Sequence, residues 1–555
     1  MPKFDVSKSD LEKLVGKKFS VKDLEDALLF AKTELDGHDG DTLKVDVKDT
    51  NRPDLWSAEG IARELKGHFK IEEGLPKYSV KKSGVKVEVD PKTKEVRPRV
   101  AAAVVRGLKF DRHSLSQLIQ LQEKVAGTLG RNRKEVSIGV YDLRKIKAPI
   151  HFKLVDSKTK FIPLEFSKLM SMDEIIKEHP KGKQYGHLLA GSKGYPVLID
   201  SSGEILSMAP IINSNYTGRV TEEVTDVFID CTGFDDKKLL LAINVMCAAL
   251  AERGGQIESV DVVYGKEVLA YPDLTPKKAH MDPDYCRKIL GMEISDTEMI
   301  KLFKEARYNA RLDQKKIHVE YPAYRNDIMH QRDLVEDVAI GFGYNDIKPE
   351  TPSIPTVGST DKLEDFTNVV RELCIGLGLQ EVLTFILSNK ENICKKMGLA
   401  EAVVEIENPI SSNWSVFRSW LVPNLLEFLA CNKNHDYPQV IFEVGDSVVF
   451  DSLNKETGVS NKRKLAVALT GVSAGYEDIS SILSAFINNL GLNLVLKSTK
   501  HPSFIDGRAA DIIVSNKKIG VIGEVHPQVL NNWNLEKAVV AFEIDIQEIF
   551  NSLEE

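Results

Sequence analysis

Apolar residues recur along this chain with two different periods, and the switches between them outline its elements. Leu118, Leu121, Val125 and Leu129 follow one another at helical spacing after Ser114, which predicts a core-facing helix. The run Val100 to Val105 is β-rich, and "VFIDCTG" (227–233) alternates, so Asp230 and Thr232 face the same side of a strand. Leu43 to Val47 reads as a further strand. Polar residues punctuate the helices: Ser9-x-x-Glu12 and Ser20-x-x-Asp23 have the pattern of N-caps, and a helix from about Ser57 stops at Gly67. Further on, one short helix ends at Gly291 and the next opens with Ser295-x-x-Glu298. A hairpin across Asp313 to Lys316 follows, then a helix from Asp333 to about Phe342 and another near Phe366 to Gly376.

Linker composition falls at Glu72 to Gly84, at Tyr271 to Lys278 and in the Pro-rich run Lys348 to Gly358. A length of 555 residues implies roughly three to five domains. The pattern predicts a multidomain α+β protein: an N-terminal α/β domain over 1–85, an α/β domain over 90–268, a helix, turn, helix and hairpin module over 270–346, and a strand-rich domain over 356–555.

Composition narrows the class. Hydrophobic content of 42% with 28% charged residues is ordinary for a globular protein, and no apolar run approaches the ~18–20 residues of a membrane span. The charged start "MPKFDVSKSDLEKL" lacks the apolar core of a secretory signal, so a cytosolic location is expected. Six scattered cysteines without a CxxC pair argue against zinc and against a disulfide framework. The formal net charge of -8 gives no sign of nucleic-acid binding. The basic clusters Gly130 to Glu135 and Lys92 to Arg99 suit solvated loops better than a phosphate track.

The candidate chemistry starts at Asp327, Asp333, Glu336 and Asp337, four carboxylates within eleven positions. The last three stand at i, i+3 and i+4 on one helix face, where like charges destabilise a bare helix by roughly 0.2–0.5 kcal/mol per pair. Asp327 follows an extended run through Pro322 and can fold back on that face. Such an oxygen-rich cluster suits Mg²⁺. Acidic residues in a first helical turn, favoured by the helix dipole, are the competing reading.

The surrounding sequence "YPAYRNDIMHQRDLVEDVAIGFGYNDI" resembles the hallmark of the phenylalanyl-tRNA synthetase beta subunit, Arg-x-Asp…Asp-Leu-x-Glu-Asp…Gly-Tyr. Three other regions resemble the same family in the right order. They are "DTNRPDLWSAEGIARELKG" (49–67), "LIDSSGEILSMAPIINSNYTGRVTEEVTDVFIDCTG" (198–233), and the late group "GLGLQEVLTFILSN", "IENPIS", "IFEVGD" and "IGVIGEVHPQVLNNW". The short N-terminal region and the end near Glu555 are similar to the archaeal and eukaryotic type. The resemblance implies that Asp327, Asp333, Glu336 and Asp337 hold a Mg²⁺ shared with an alpha subunit. It implies partners as well: the alpha subunit, two copies of each chain, and tRNA(Phe), with ATP and phenylalanine bound on the alpha chain. The final domain then resembles a class II synthetase core with its chemistry missing. Arg418 lacks the acidic partner two residues on, and Arg508 lacks the Gly-x-Gly-x-Gly-x-Arg context.

The middle block resembles the family's editing domain. Phenylalanine and tyrosine differ by one hydroxyl, which an apolar pocket rejects only about a hundredfold, so a second, hydrolytic sieve is a plausible remedy. By resemblance, Asp230, Thr232 and Asn213 carry the chemistry of that pocket and Leu198, Ser207 and Ser214 bind the substrate, with water attack assisted by the tRNA's own hydroxyl. The competing reading of Asp-x-Thr-Gly is turn chemistry at a strand end. Two further alternatives stand. Asn51-Arg52-Pro53-Asp54 reads as structural, with Asp54 or Ser57 as a helix cap and Arg52 free to reach tRNA or an interdomain carboxylate. The 270–346 module resembles winged-helix DNA binders, so a non-enzymatic nucleic-acid-binding or scaffold protein is the alternative function, although its acidic helix start repels phosphates.

Overall fold

A computed structural model describes residues 3–554, and the chain divides into two compact units, 1–351 and 352–555. In the first unit, β1 (Lys3–Ser7) leads into α1 (Lys8–Val15) and α2 (Val21–Phe30), followed by β2 (Thr33–Asp39), β3 (Thr42–Val47) and α3 (Ala58–His68). The three strands form an antiparallel sheet in the order β1-β3-β2. Ser20 and Asp23 form the expected reciprocal cap of α2. The first cap is corrected: Ser7, where β1 ends in extended backbone, accepts from the Asp10 amide, while the Ser9 hydroxyl bonds Asp41 instead. Ser57 caps α3 through the Gly60 amide, and Asp54 does not cap it.

A ten-stranded sheet follows, in the order β12-β11-β10-β7-β4-β14-β5-β13-β6, with β15 paired to β14. Its parts in chain order are β4 (Val80–Val89), β5 (Arg99–Arg106), α4 (Arg112–Gly127), β6 (Val136–Asp142) and β7 (Ile150–Val155). A small ribbon, β8 (Lys160–Phe161) and β9 (Met170–Ser171), carries α5 (Met172–Glu178) and α6 (Pro180–Tyr185). Then come β10 (Tyr195–Asp200), β11 (Ile205–Met208), β12 (Ile212–Asn213), β13 (Val227–Gly233), α7 (Asp236–Glu252), β14 (Gln256–Tyr264) and β15 (Glu267–Tyr271). β4 starts inside the expected linker Glu72 to Gly84; it pairs in parallel with β7 and β14, and its exposed lysines 81 and 82 disguise it as coil. α4 starts earlier than Ser114, because Asp111 is its cap, and it ends at Gly127, so Leu129 lies beyond it. β13 runs antiparallel between β5 and β6 with all seven residues buried. One continuous apolar core joins Phe4, Val45 and Trp56 to Val104, Phe228 and Met246.

The next elements match the expected order. After β16 (Lys277–Met281), α8 (Pro283–Leu290) stops at the left-handed Gly291, and α9 (Asp296–Glu305) is capped by Ser295. The hairpin is β17 (Asn309–Asp313) and β18 (Lys316–Tyr321), and α10 (Gln331–Phe342) closes the module. Its core packs Met281, Phe303, Tyr308, Ile317, Leu334 and Val338. Residues 348–361 form no helix or strand and are exposed.

The second unit is built on a seven-stranded sheet. Alternate residues feed its two faces, as the period of a strand requires. Phe442, Val444, Leu465, Val467 and Phe542 pack against helices Lys362–Gly376, Tyr476–Asn489 and Ile546–Glu554. Ile441, Ala466, Ala468 and Ala541 pack instead against helix Val422–Cys431.

Candidate active site

A cavity of about 940 Å³ opens between α4, β6 and the loops after β11. α4 contributes Leu115, Leu118 and Gln122, β6 contributes Ser137 to Tyr141, and Ser207, Asn213 and Asp230 supply polar atoms. Asp230 is 2% exposed, at the centre of β13. The Tyr141 hydroxyl donates to Asp230 Oδ1 at 2.6 Å. Burial pushes the Asp230 carboxyl up to about 6, with the Tyr141 hydrogen bond and Arg97 pulling the other way. Burial and the Asp230 charge push the Tyr141 phenol far above its ordinary value, so it stays a donor. Ser207 Oγ is buried beside the Tyr141 hydroxyl and, among the described residues, has no partner in hydrogen-bond geometry. A buried carboxylate, a phenol and a serine hydroxyl, in a cavity whose lining mixes apolar side chains with charged ones such as Glu123, Arg133 and Lys181, can bind a ligand hydroxyl and can orient a water.

The remaining expected pocket residues lie elsewhere. Thr232 is on the same side of β13 as Asp230 but does not line the cavity; its hydroxyl accepts from Arg97 Nε at 2.8 Å and lies 2.8 Å from Ser137 Oγ. Leu198, on β10, is fully buried in the core opposite Ser207. Ser214 is used in a turn, 2.9 Å from Thr217 Oγ1 and accepting from the Thr217 amide. Arg97 is a residue that periodicity did not flag. Burial pushes its guanidinium down to about 9, still protonated at neutral pH, and its other contacts include the carbonyls of Arg133 and Lys134. Those contacts hold the left-handed run Arg131, Asn132 and Arg133, with φ of 47°, 53° and 66°. Part of the basic cluster thereby turns inward. Arg133 lines the cavity, donates to the Ile211 carbonyl and to Glu123 at 2.8 Å each, and lies over the Tyr185 ring.

The four acidic positions do not converge. Asp327 accepts from Arg325 Nε at 2.7 Å. Asp337 accepts from Arg325 at 2.8 Å and from the Tyr308 hydroxyl, and its other oxygen lies 3.0 Å from Lys32 Nζ. Burial opposes ionisation of Asp337, but Arg325, Lys32 and Arg52 outweigh it and hold its carboxyl well below the usual range. Asp333 accepts from the Met329 and His330 amides at 2.7 Å each, as the third-position partner of the His330 N-cap of α10. The Glu336 side chain is 48% exposed and 3.4 Å from Lys32. Arg52 is buried in the same network, bonded to Asp54 and Glu64 and 3.9 Å from Asp327, which gives the Asn-Arg-Pro-Asp segment its structural use. Among the described residues, no group of three or more carboxylate, histidine or cysteine side chains is placed to hold a metal.

In the second unit, Arg418 is 3% exposed and donates to Glu443 at 2.7 Å and to the Asp446 carbonyl. Its acidic partner comes from a neighbouring strand rather than from two residues on. Arg508 is exposed and paired with Glu524.

Three family models match the chain: a B3/4 domain over 95–264, a tRNA synthetase B5 domain over 279–344, and a phenylalanyl tRNA synthetase beta chain CLM domain over 347–546. The phenylalanine–tRNA ligase beta subunit of Pyrococcus horikoshii is 51% identical over 99% of this chain and 100% of its own length. That of Archaeoglobus fulgidus is 39% identical over 100% of this chain and 99% of its own. The crystal structure of an N-terminal fragment of the phenylalanyl-tRNA synthetase beta subunit from Pyrococcus horikoshii is similar with a TM-score of 0.61 and 53% identity, covering 62% of this chain and all of the fragment. Whole-length identity and three models in one order leave a single assignment: the chain belongs to the phenylalanine–tRNA ligase beta subunit family.

Proposed function

We propose that this chain is the beta subunit of a heteromeric phenylalanine–tRNA ligase, and that the Asp230 cavity hydrolyses tRNA(Phe) mischarged with tyrosine. The observation that carries the hydrolytic part is a buried carboxylate, bonded to a phenol, at the wall of a large cavity within the span of the B3/4 model. Pushed up to about 6, Asp230 is still mostly ionised at neutral pH, and the ionised form accepts from the tyrosyl phenol or from the attacking water. In the reaction, water oxygen adds to the ester carbonyl, the bond to the ribose oxygen breaks, and that oxygen takes the proton. Tyrosine and free tRNA leave. Ser207 and Asn213 are the further polar groups available to the substrate.

In this reading the alpha subunit, in a complex of two alpha and two beta chains in the cytosol, binds ATP and phenylalanine. The 270–346 module is winged-helix-like, and residues 356–555 form a class II core whose Arg418 is tied to Glu443 and not open to a nucleotide. Magnesium is the remaining expectation. Asp327 and Asp337 are neutralised by Arg325 and Lys32, and Asp333 serves the backbone, so the four carboxylates as placed do not fit a shared ion.

A tagged copy drawn from its native cytosol should bring a stoichiometric second chain and charge tRNA with phenylalanine in the presence of ATP. A solitary, inactive chain would favour the nucleic-acid-binding alternative. Asp230→Ala should abolish deacylation of tyrosyl-tRNA while charging continues; deacylation at the unmodified rate would remove the site assignment.

A further inference from the structure

In the pairing of β13 with β6, Gly139 stands opposite Asp230 and Tyr141 stands opposite Phe228. Tyr141 therefore reaches Asp230 diagonally, lying back along its own strand across the place where residue 139 would project a side chain. Diagonal neighbours of this kind are within reach of an aromatic ring. A Cβ on Gly139 would meet the Tyr141 hydroxyl at 2.1 Å and Asp230 Oδ1 at 2.3 Å. Glycine weakens a strand interior, and close approach of another group is one reason to find it there.

We infer that Tyr141 is a positioning residue for the cavity carboxylate and that Gly139 is the empty position that lets it act. The inference rests on reading the cavity as a deacylation site. The phenol carries one proton, and Asp230 Oδ1 at 2.6 Å receives it, because Asn213 Oδ1 is distant at 3.4 Å. That bond fixes the plane of the carboxylate. Among the described residues Oδ2 makes no hydrogen bond, so Oδ2 is the oxygen turned to a substrate hydroxyl or a water. The bond also favours the ionised carboxylate, and so sets the pH at which the site becomes active. The other charged or titratable groups around Asp230 are Arg97 ahead of β5 and the Cys231 thiol beside it. Arg133, Glu123 of α4, Lys181 of α6, Glu165 and Arg219 line the same cavity.

The test uses the complete heteromeric ligase and tyrosyl-tRNA, with deacylation followed across the acid and neutral range. Tyr141→Phe keeps the ring and removes only the hydroxyl. The acid limb of the profile should move to higher pH by about one unit, a tenfold change in the ionised fraction on the acid side. A packing role alone would lower the rate at every pH and leave the limb in place, and that result would overturn the inference. Gly139→Ala should move the limb in the same sense, and combining the two should add nothing. Additive shifts would remove Gly139 from the device. If the unmodified ligase deacylates no tyrosyl-tRNA, the cavity reading fails by itself. The titration of the Asp230 carboxyl, followed by carbon NMR on the full chain, then decides the inference. A higher midpoint in Tyr141→Phe sustains it, and an unchanged midpoint overturns it.

Discussion

Asp230 and Asp337 are buried aspartates whose environments push their ionisation in opposite directions. Asp337 faces Arg325 and Lys32 and titrates below its ordinary value, so its contribution to stability is present above that value and is lost as pH falls. Asp230 titrates at about 6 rather than 3.8, so its contribution is present below 3.8 and is lost as pH rises through 6. Asp337→Asn should cost about 3–5 kcal/mol at neutral pH, because it leaves buried cations short of a partner. It should also flatten the acid side of the stability curve, measured by urea unfolding at several pH values. Asp230→Asn should gain on the unmodified chain as pH rises, by about 3 kcal/mol between acid and mildly alkaline conditions. Glu336→Gln, at a half-exposed site, should change stability by no more than about 0.5 kcal/mol.

Helix starts and close contacts govern the elements. Asp333, in the first turn of α10, reaches back to the Met329 and His330 amides just ahead of the helix, so Asp333→Ala should cost about 1 kcal/mol through the lost half of the capping box. α3 lies so close to the turn before it that a Cβ on Gly60 would fall 1.7 Å from the Asp54 carbonyl oxygen. Gly60→Ala should therefore destabilise the first unit by several kcal/mol, roughly the effect of a severe core overpacking. Gly127, at the end of α4, has nothing within 4 Å of that position, and Gly127→Ala should be neutral or stabilising by up to about 1 kcal/mol. Thermal unfolding of the two variants side by side checks the contrast. Elements marked by hydroxyl caps and regular spacing, such as α2, α9 and the β17–β18 hairpin, were legible in the sequence. β4 was not, because its exposed lysines look like a linker until its partners β7 and β14 are in place.

On the scale of the whole molecule, the two units have separate cores and are joined by an exposed stretch without helix or strand. Limited proteolysis should cut within 348–361 and release two fragments, of which 1–351 keeps its cooperative melt; early cleavage inside β4 to β7 would count against this division. Net charge of -8 leaves little attraction for a polyanion, so tRNA affinity of the isolated chain should be low and should rise when the alpha subunit is added. Filter binding at fixed salt tests that expectation.

The sequence by itself determined the family, through four motif blocks in order, and the helices and hairpins whose signals are local: caps, turns and periodicity. It also singled out Asp230, Ser207 and Asn213, which the cavity brings together. Tertiary structure alone decided what the neighbouring polar residues do, because a hydroxyl or carboxylate takes its role from the group across from it. Thr232 and Asp230 share one side of a strand, yet Arg97 claims the first and Tyr141 the second. The acidic motif divides in the same way: Arg325, from the preceding turn, and Lys32, from a distant one, engage Asp327 and Asp337, while Asp333 serves the backbone. Carboxylate spacing along a helix is a local property; the cations that neutralise those carboxylates arrive from elsewhere in the chain, and only folding brings them there.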